Sequence, residues 1–274
     1  MKLKKLAISL LAIVMIVSFT APAFAGNATV EVDDGVLFNN RVLIPLRVVS
    51  SNLGGDIKWY KEDRFIQIKT KEKEILLAVN FKNARVNDKI ITMDSPVLLI
   101  GGVTYVSLKF VSQTFGAKLN WDDKSKQATI MLDDQTVVVN VQNDESRITD
   151  SLKISQGRLN LLSEKLNETS KLSEIKHIQT YFKPYFTEKL VRSILGGQEL
   201  QNEWIQYDVP ENIVYYTSPT IGTLSQSFVL GNTLTGESHY VYDRNIELVY
   251  HEGVWKVNQM KFVYRTIPNL GYDR

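Results

Sequence analysis

The chain has 274 residues, with 32 lysines and arginines against 30 aspartates and glutamates and no cysteine. The formal net charge of +2 is too small to attract nucleic acid or an anionic membrane surface. The absence of cysteine excludes a small secreted domain stapled by disulfides. The length is sufficient for two domains, each with its own hydrophobic core.

Residues 1–25 have the pattern of a secretory signal. Three lysines precede an apolar run at 6–19, and Ala23-Phe24-Ala25 has the small-x-small form that precedes cleavage. The run of about 14 residues is shorter than the roughly 20 that a spanning helix needs. We therefore expect cleavage, with no stable membrane span afterwards. The mature chain would carry 29 basic and 30 acidic residues, a net charge of −1.

One stretch occurs twice, at residues 41–68 and 103–130, with a constant offset of 62. Each copy predicts a strand, a helix of about two turns and a returning strand. A pseudo-twofold domain in which both copies share one core is therefore expected. The residues that mark the repeat are Pro45, Arg47, Gly54 and Trp59 in the first copy, and Lys109, Gly116 and Trp121 in the second.

Within each copy, a glycine and a tryptophan have predicted structural roles. Gly54 and Gly116 follow the apolar helix pattern and are expected to end the helices in a left-handed conformation. Trp59 and Trp121 are expected to be mostly buried. Before the first copy, residues 28–40 predict a strand, a turn at Asp34-Gly35 and a short second strand.

This doublet resembles the copper amine oxidase N-terminal-like domain, also called the stalk domain. The resemblance is carried by "VLIPLR…LGGDIKW", by "TYVSLKFV…FGAKLNW" and by "ARVNDKIITMDSPVLLIGG" between them. The family pattern favours Pro-Leu-Arg in both copies, whereas the second copy here has Ser107-Leu108-Lys109. The resemblance covers about residues 28–133 and implies a small α+β spacer module of exported Gram-positive proteins. It implies no copper ligand and no amine oxidase activity.

Residues 142–176 are polar, with an apolar stripe from Ile148 to Leu166 that is typical of one helical face. We interpret this segment as a helical connector that packs on a neighbouring domain. Residues 177–274 predict a pair of helices and then about four long alternating strands with short turns, hence an antiparallel sheet with helices on one face. The end of the chain, "YVYDRNIELVYHEGVWKVNQMKFVYR", weakly resembles NTF2-like domains, which often hold a pocket between sheet and helices.

The fold class expected for the whole chain is therefore α+β. Its organisation would be a signal peptide at 1–25, a stalk domain at 26–141, a helical connector at 142–176 and an NTF2-like α+β domain at 177–274.

No catalytic motif is found in the sequence. His177, His239 and His251 lack a second histidine at i+4, so no metal site and no cofactor are expected. A carboxylate pair for acid–base chemistry would have to come from Asp208, Glu211, Asp243 or Glu247, and Glu247 is interpreted as an ordinary surface acid.

An aromatic set in the C-terminal strands gives the candidate ligand-binding residues. Aromatic rows stack on sugar rings or line apolar pockets, although they are also normal strand residues. The candidate residues are Tyr240, Tyr242, Tyr250 and Trp255.

These patterns favour an exported, non-catalytic binding or spacing protein of the cell envelope, secreted and associated with the wall or free. Its partner would be a cell-wall polymer or another envelope protein, and not nucleic acid. Two alternatives remain open. One is an enzyme with an NTF2-like pocket, and the other is a regulator that contacts another envelope protein through an apolar surface patch.

Overall fold

The computed structural model describes residues 28–142, 148–200, 205–210 and 213–272. The predicted signal segment, residues 1–25, lies outside this part of the chain. Strands account for 49% of the described residues and a few short helices accompany them, so the α+β class is confirmed with sheets dominant. No helix in the described ranges is long and apolar enough to cross a membrane.

The N-terminal part alternates short strands with two short helices. Their bounds are β1 (Ala28–Phe38), β2 (Arg41–Pro45), α1 (Leu46–Leu53), β3 (Asp56–Tyr60), β4 (Phe65–Lys69), β5 (Glu74–Ala78), β6 (Asn83–Val86), β7 (Lys89–Thr92), β8 (Leu98–Ile100), β9 (Val103–Ser107), α2 (Leu108–Phe115), β10 (Lys118–Asp122), β11 (Gln127–Leu132) and β12 (Gln135–Gln142).

These strands form two sheets. The seven-stranded sheet has the order β10-β11-β12-β1-β2-β9-β8, and the five-stranded sheet runs β3-β4-β5-β6-β7. One apolar core joins the two sheets and both helices, because Leu46 of α1 and Val111 of α2 belong to the same buried cluster as Ile68, Val106 and Val137 of the strands.

The two repeat copies have the same strand pairings. Asp56 pairs with Lys69 in the first copy, as Lys118 pairs with Met131 in the second. Strand β2 pairs with β9 so that Ile44 lies opposite Val106, and these residues occupy equivalent positions in the two copies. Residues 62 positions apart therefore occupy equivalent places in the strand pairings of the two copies.

Each of the two helices ends directly before a glycine, as the sequence predicts. Gly54 has φ 72° and Gly116 has φ 75°, both in the left-handed region that favours glycine. At the start of α2, the Ser107 hydroxyl accepts a hydrogen bond from the Phe110 amide at 3.1 Å. In the second copy, therefore, serine in place of the proline favoured by the family pattern supplies an N-cap.

Two expectations for this part of the chain are wrong. Trp59 is 38% exposed and Trp121 is only half-buried, because β3 and β10 are the outermost strands of their sheets and leave one flank of each ring open to solvent. Residues 28–38 form one strand without a turn at Asp34-Gly35. The extra residues are accommodated by a register shift between Val32 and Gly35 while β1 continues parallel to β12.

The C-terminal part combines helices with one antiparallel sheet, in the order β13-β14-β15-β16. Two 3₁₀ segments, Asp150–Leu152 and Glu168–Glu174, flank the first helix, so the predicted connector is helical in pieces and residues 143–147 lie outside the described ranges. The bounds are α3 (Gln156–Asn167), α4 (Ile178–Phe182), α5 (Glu188–Leu195), β13 (Tyr215–Ser218), β14 (Ile221–Asn232), β15 (Ser238–His251) and β16 (Val254–Pro268).

A second core lies between these helices and the sheet. Leu162 of α3 and Ile194 of α5 pack in one buried cluster with Leu248 and Val257 of the sheet. The apolar stripe of the predicted connector therefore packs on the C-terminal domain. The boundaries drawn at residues 141 and 176 stay predictions.

The other face of the four-stranded sheet contacts the five-stranded sheet of the N-terminal part. Leu76 and Phe81 join Val241, Ile267 and Leu270 in a third buried cluster that contains residues from both parts. Strands β5 and β16 therefore meet at an interface between the two parts.

Candidate functional site

A cavity of about 990 Å³ lies beside this interface, between the N-terminal sheets and the C-terminal sheet. The N-terminal part contributes the segment after β5, including Phe81, together with strand β8. The C-terminal part contributes residues of β13, β14 and β15. Volumes of this size are typical of small-molecule and peptide sites. We refer to this space as the interdomain cleft.

Neutral polar side chains from both parts meet in the cleft. The Asn80 amide donates to the hydroxyls of Ser225 at 2.7 Å and Ser227 at 3.0 Å. Ser225 in turn donates to the Asn245 side-chain oxygen at 2.7 Å. Asn80 has φ 72°, a backbone conformation that asparagine tolerates better than most residues. The turn after β5 therefore directs a neutral amide onto two hydroxyls of the opposite sheet.

A buried ion pair lies next to this polar group. Asp243 and Arg265 have no exposed side-chain surface, and Arg265 Nε donates to the Asp243 carboxylate at 2.8 Å. Burial lowers the pKa of Arg265, while the Asp243 charge opposes this shift. Arg265 also donates to the carbonyls of Val79 at 2.8 Å and Asp63 at 3.0 Å. One guanidinium therefore joins the C-terminal sheet to two turns of the N-terminal part.

Two of the four carboxylates considered for acid–base chemistry line the cleft, namely Asp208 and Glu247. Glu247 is half-buried and accepts a hydrogen bond from Asn258 at 2.5 Å, so its interpretation as an ordinary surface acid is wrong. Asp243 is held in the ion pair described above, and Glu211 lies outside the described residues. Glu247 has apolar neighbours in the sequence. Its carboxylate is accommodated there because it is hydrogen-bonded to Asn258 and lines the cleft.

The structure places the four predicted aromatic residues in two pairs, at opposite ends of the C-terminal sheet. Tyr240 and Tyr242 lie side by side on one face of β15 and stack on Tyr264 and Phe262, with ring centroids 5.8 and 5.2 Å apart. Tyr264 is 57% exposed, so this end of the sheet presents aromatic surface. A ligand role for Tyr240 and Tyr242 stays a prediction.

Tyr250 and Trp255 lie at the opposite end of the sheet. Trp255 is 4% exposed, and its indole N–H donates to the Leu152 carbonyl at 2.7 Å. The Tyr250 ring packs against it at 5.5 Å. Trp255 is thus a core residue that fixes the segment before α3, and a ligand role for Tyr250 and Trp255 stays a prediction.

The histidines are far apart. His239 is buried near the start of β15 and accepts a hydrogen bond from the Leu270 amide at 3.2 Å. His251 is exposed at the end of the same strand, roughly 40 Å away at about 3.3 Å per residue. Among the described residues, no group of three or more histidines, cysteines or acids is arranged to hold a metal ion.

Sequence reasoning did not find the interdomain cleft. Its polar group joins Asn80 to residues about 145 positions away, a separation that no local pattern reveals. A weak signal was present in the alternation of Ser225 and Ser227 on β14, which places two hydroxyls on the face that Asp243 and Glu247 share on β15.

Residues 25–130 match the family model of the copper amine oxidase N-terminal domain. The stalk-domain resemblance is therefore confirmed for this stretch, which contains both repeat copies. No curated protein and no solved structure matches the chain.

Proposed function

We propose that this chain is an exported, non-catalytic binding and spacing protein of the cell envelope. In this proposal a pseudo-twofold stalk domain holds an NTF2-like C-terminal domain in a fixed orientation, and the interdomain cleft takes the ligand or partner. The signal pattern at 1–25 and the stalk-domain match at 25–130 support an extracellular location and a spacing role.

The observation that carries the proposal is the contact of Arg265 across the two parts. A surface-to-surface contact between domains would let them move. Here a fully buried guanidinium pairs with Asp243 and donates to main-chain carbonyls of the other part, at Val79 and Asp63. Main-chain acceptors are fixed in position, so the two parts and the cleft between them are held together. A preformed cleft reduces the entropy cost of binding.

The test uses the mature chain from Gly26 and sacculi of a Gram-positive bacterium with their covalently attached proteins. Thr92 and Thr217 are exposed and line the cleft from opposite parts. Thr92→Arg and Thr217→Arg should each reduce co-sedimentation at least tenfold, because a long charged side chain would obstruct the opening. Thr235→Arg is the matched control, since Thr235 is exposed in the turn after β14.

Equal binding by all three variants would contradict a role for the cleft, and absence of binding by the parent chain would contradict the envelope role.

The enzyme alternative is tested by a separate measurement. Asp208 and Glu247 both line the cleft. Release of soluble wall fragments by the parent chain, abolished in Glu247→Gln, would favour an enzyme over a binding protein.

A further inference from the structure

Each of the three sheets contributes an outermost strand to the wall of the interdomain cleft. Strand β7 ends the five-stranded sheet and contributes Thr92, β8 ends the seven-stranded sheet and contributes residues 98–100, and β13 ends the C-terminal sheet and contributes Tyr215 and Thr217. An outermost strand has main-chain donors and acceptors on one side that no neighbour satisfies. The wall therefore contains main-chain polar groups as well as side chains.

The geometry of β8 shows which groups these are. Gly101 and Gly102 form a two-residue turn with φ 57° and 83°, and the turn is closed by the pair Ile100 and Val103. In such a hairpin the closing pair is hydrogen-bonded, so the next pair, Leu99 and Thr104, is not. The N–H and C=O of Leu99 consequently point away from β9.

No hydrogen bond to either main-chain group of Leu99 is present within the described residues. Leu99 is 38% exposed and lines the cleft. Edge strands in soluble proteins usually carry a lysine, a proline or a bulge that prevents pairing with another chain. Strand β8, with the sequence Leu-Leu-Ile, has none of these.

The side chains around the cleft favour a ligand without strong net charge. Two lysines, Lys82 and Lys261, are balanced by two acids, Asp208 and Glu247. The remaining polar lining consists of hydroxyls and amides, and the walls include apolar residues such as Phe81. A polypeptide in extended conformation supplies the complement, namely neutral main-chain donors and acceptors with apolar side chains between them.

We propose that the interdomain cleft binds an extended peptide segment of another envelope protein by strand addition to β8. The Leu99 N–H donates to a carbonyl of the peptide, and the Leu99 C=O accepts from an amide of the same strand. The balanced charges and the apolar wall select segments in which small polar and apolar residues alternate. This inference rests on the proposed function, because it names the partner class for the same cleft.

The test uses the mature chain and a synthetic set of acetylated hexapeptides in which valine, leucine or phenylalanine alternates with serine or threonine. Binding is measured by fluorescence anisotropy of the labelled peptides and by hydrogen exchange of the Leu99 amide. A bound strand should slow exchange of that amide at least tenfold. If no peptide in the set binds, the proposal is wrong.

Two arms separate main-chain pairing from simple apolar contact. Each binding peptide is prepared in two forms, N-methylated on one or the other set of alternate residues, since alternate amides of a strand point the same way. At least one form should bind at least tenfold more weakly. Equal binding of both methylated forms and the parent peptide would overturn strand addition, and this arm leaves the protein unchanged.

The second arm changes Leu99. Leu99→Pro removes the outward N–H, a substitution that edge strands tolerate because the amide is not used by β9. We expect it to weaken peptide binding about tenfold, as for the loss of one hydrogen bond. Leu99→Thr is the matched control, because threonine keeps the amide and favours strands. Equal affinities of the two variants would contradict the proposal.

A glycan arm distinguishes failure of this inference from failure of the proposed function. Glycan strands stripped of stem peptides by an amidase should not compete with the hexapeptides. If they bind instead, and Thr92→Arg and Thr217→Arg weaken that binding while no hexapeptide binds, the cleft is a polysaccharide site. The peptide inference is then wrong and the envelope-binding proposal stands.

Discussion

Gly116 shows how a single backbone angle sets the direction of the chain. The residue ends α2 with φ 75°, and nothing lies within 4 Å of the position that a Cβ would occupy. Space is therefore not the constraint, and only the backbone conformation restricts the residue. The equivalent position in the first copy, Gly54, has the same conformation. Both angles were predictable because a glycine directly after an apolar helical run has few other uses.

Gly116→Val should destabilise the protein by about 1–3 kcal/mol, because a β-branched residue resists the left-handed region. Denaturant unfolding of the purified variant measures this loss. Asp123→Ala is the control, since the Asp123 carboxylate is exposed in a turn, where its ion pair with Lys126 at 2.6 Å is open to solvent. The control should unfold at the midpoint of the parent chain. Equal midpoints for the two variants would show that the end of α2 tolerates a side chain.

At the scale of elements, the sequence predicts those strands and helices whose structure is determined by residues close together in the chain. Strands β2 and β9 and helices α1 and α2 are encoded by local apolar patterns, and the structure contains them. The bulge in β1 was missed because its cause lies in another strand. A Cβ on Gly35 would be 2.7 Å from the Val139 side chain of β12 and 2.9 Å from the Asn140 carbonyl. The dipeptide Asp34-Gly35 is typical of a turn, but here the glycine is required because β1 packs closely against β12.

Gly35→Ala should therefore destabilise the chain by about 1–3 kcal/mol through overpacking against β12. Gly157→Ala is a matched change in α3, where an added Cβ meets no atom within 4 Å. It should stabilise the chain by about 0.5–1 kcal/mol, because alanine favours a helix over glycine. Thermal and denaturant unfolding of the two variants should shift in opposite directions. If Gly35→Ala also stabilised the chain, the reduced backbone freedom of the unfolded chain, and not contact with β12, would dominate at Gly35.

At the scale of the whole molecule, the two parts are joined by groups that are distant in sequence. Arg265 contacts main-chain atoms about 200 positions earlier, and the Tyr272 hydroxyl accepts from the Asn83 amide at 2.8 Å. Burial raises the pKa of Tyr272, so the hydroxyl that accepts this hydrogen bond stays neutral at neutral pH. The sequence identified a stalk domain and a second α+β domain, but no periodic pattern could indicate which faces meet.

Arg265→Met should reduce the free energy of unfolding by about 3–5 kcal/mol, because it leaves the Asp243 carboxylate buried without its main partner. Arg192→Met removes an exposed pair with Glu188 and should cost less than about 0.5 kcal/mol. The double variant Asp243→Leu/Arg265→Met should recover part of the loss, since it removes both fully buried charges and leaves only the partly exposed Arg64 without its carboxylate partner. Urea unfolding of the three variants checks this order. Equal losses for Arg265→Met and Arg192→Met would contradict a joining role for the ion pair.

The parallel pairing of β1 with β12 also constrains the order in which the stalk domain can assemble. Ala28 lies opposite Gln135, so one of the two neighbours of β1 is the last strand of the domain, whereas the other, β2, directly follows it in the chain. Long-range strand pairings of this kind form slowly because the entropy of closing the intervening chain is lost first. A chain that crosses a membrane unfolded, from its N-terminus onward, could pair the end of β1 with β2 early, but the edge of β1 that faces β12 would stay unpaired until β12 had emerged. The domain would thus complete its larger sheet only on the far side, after about half of the polypeptide had been translocated.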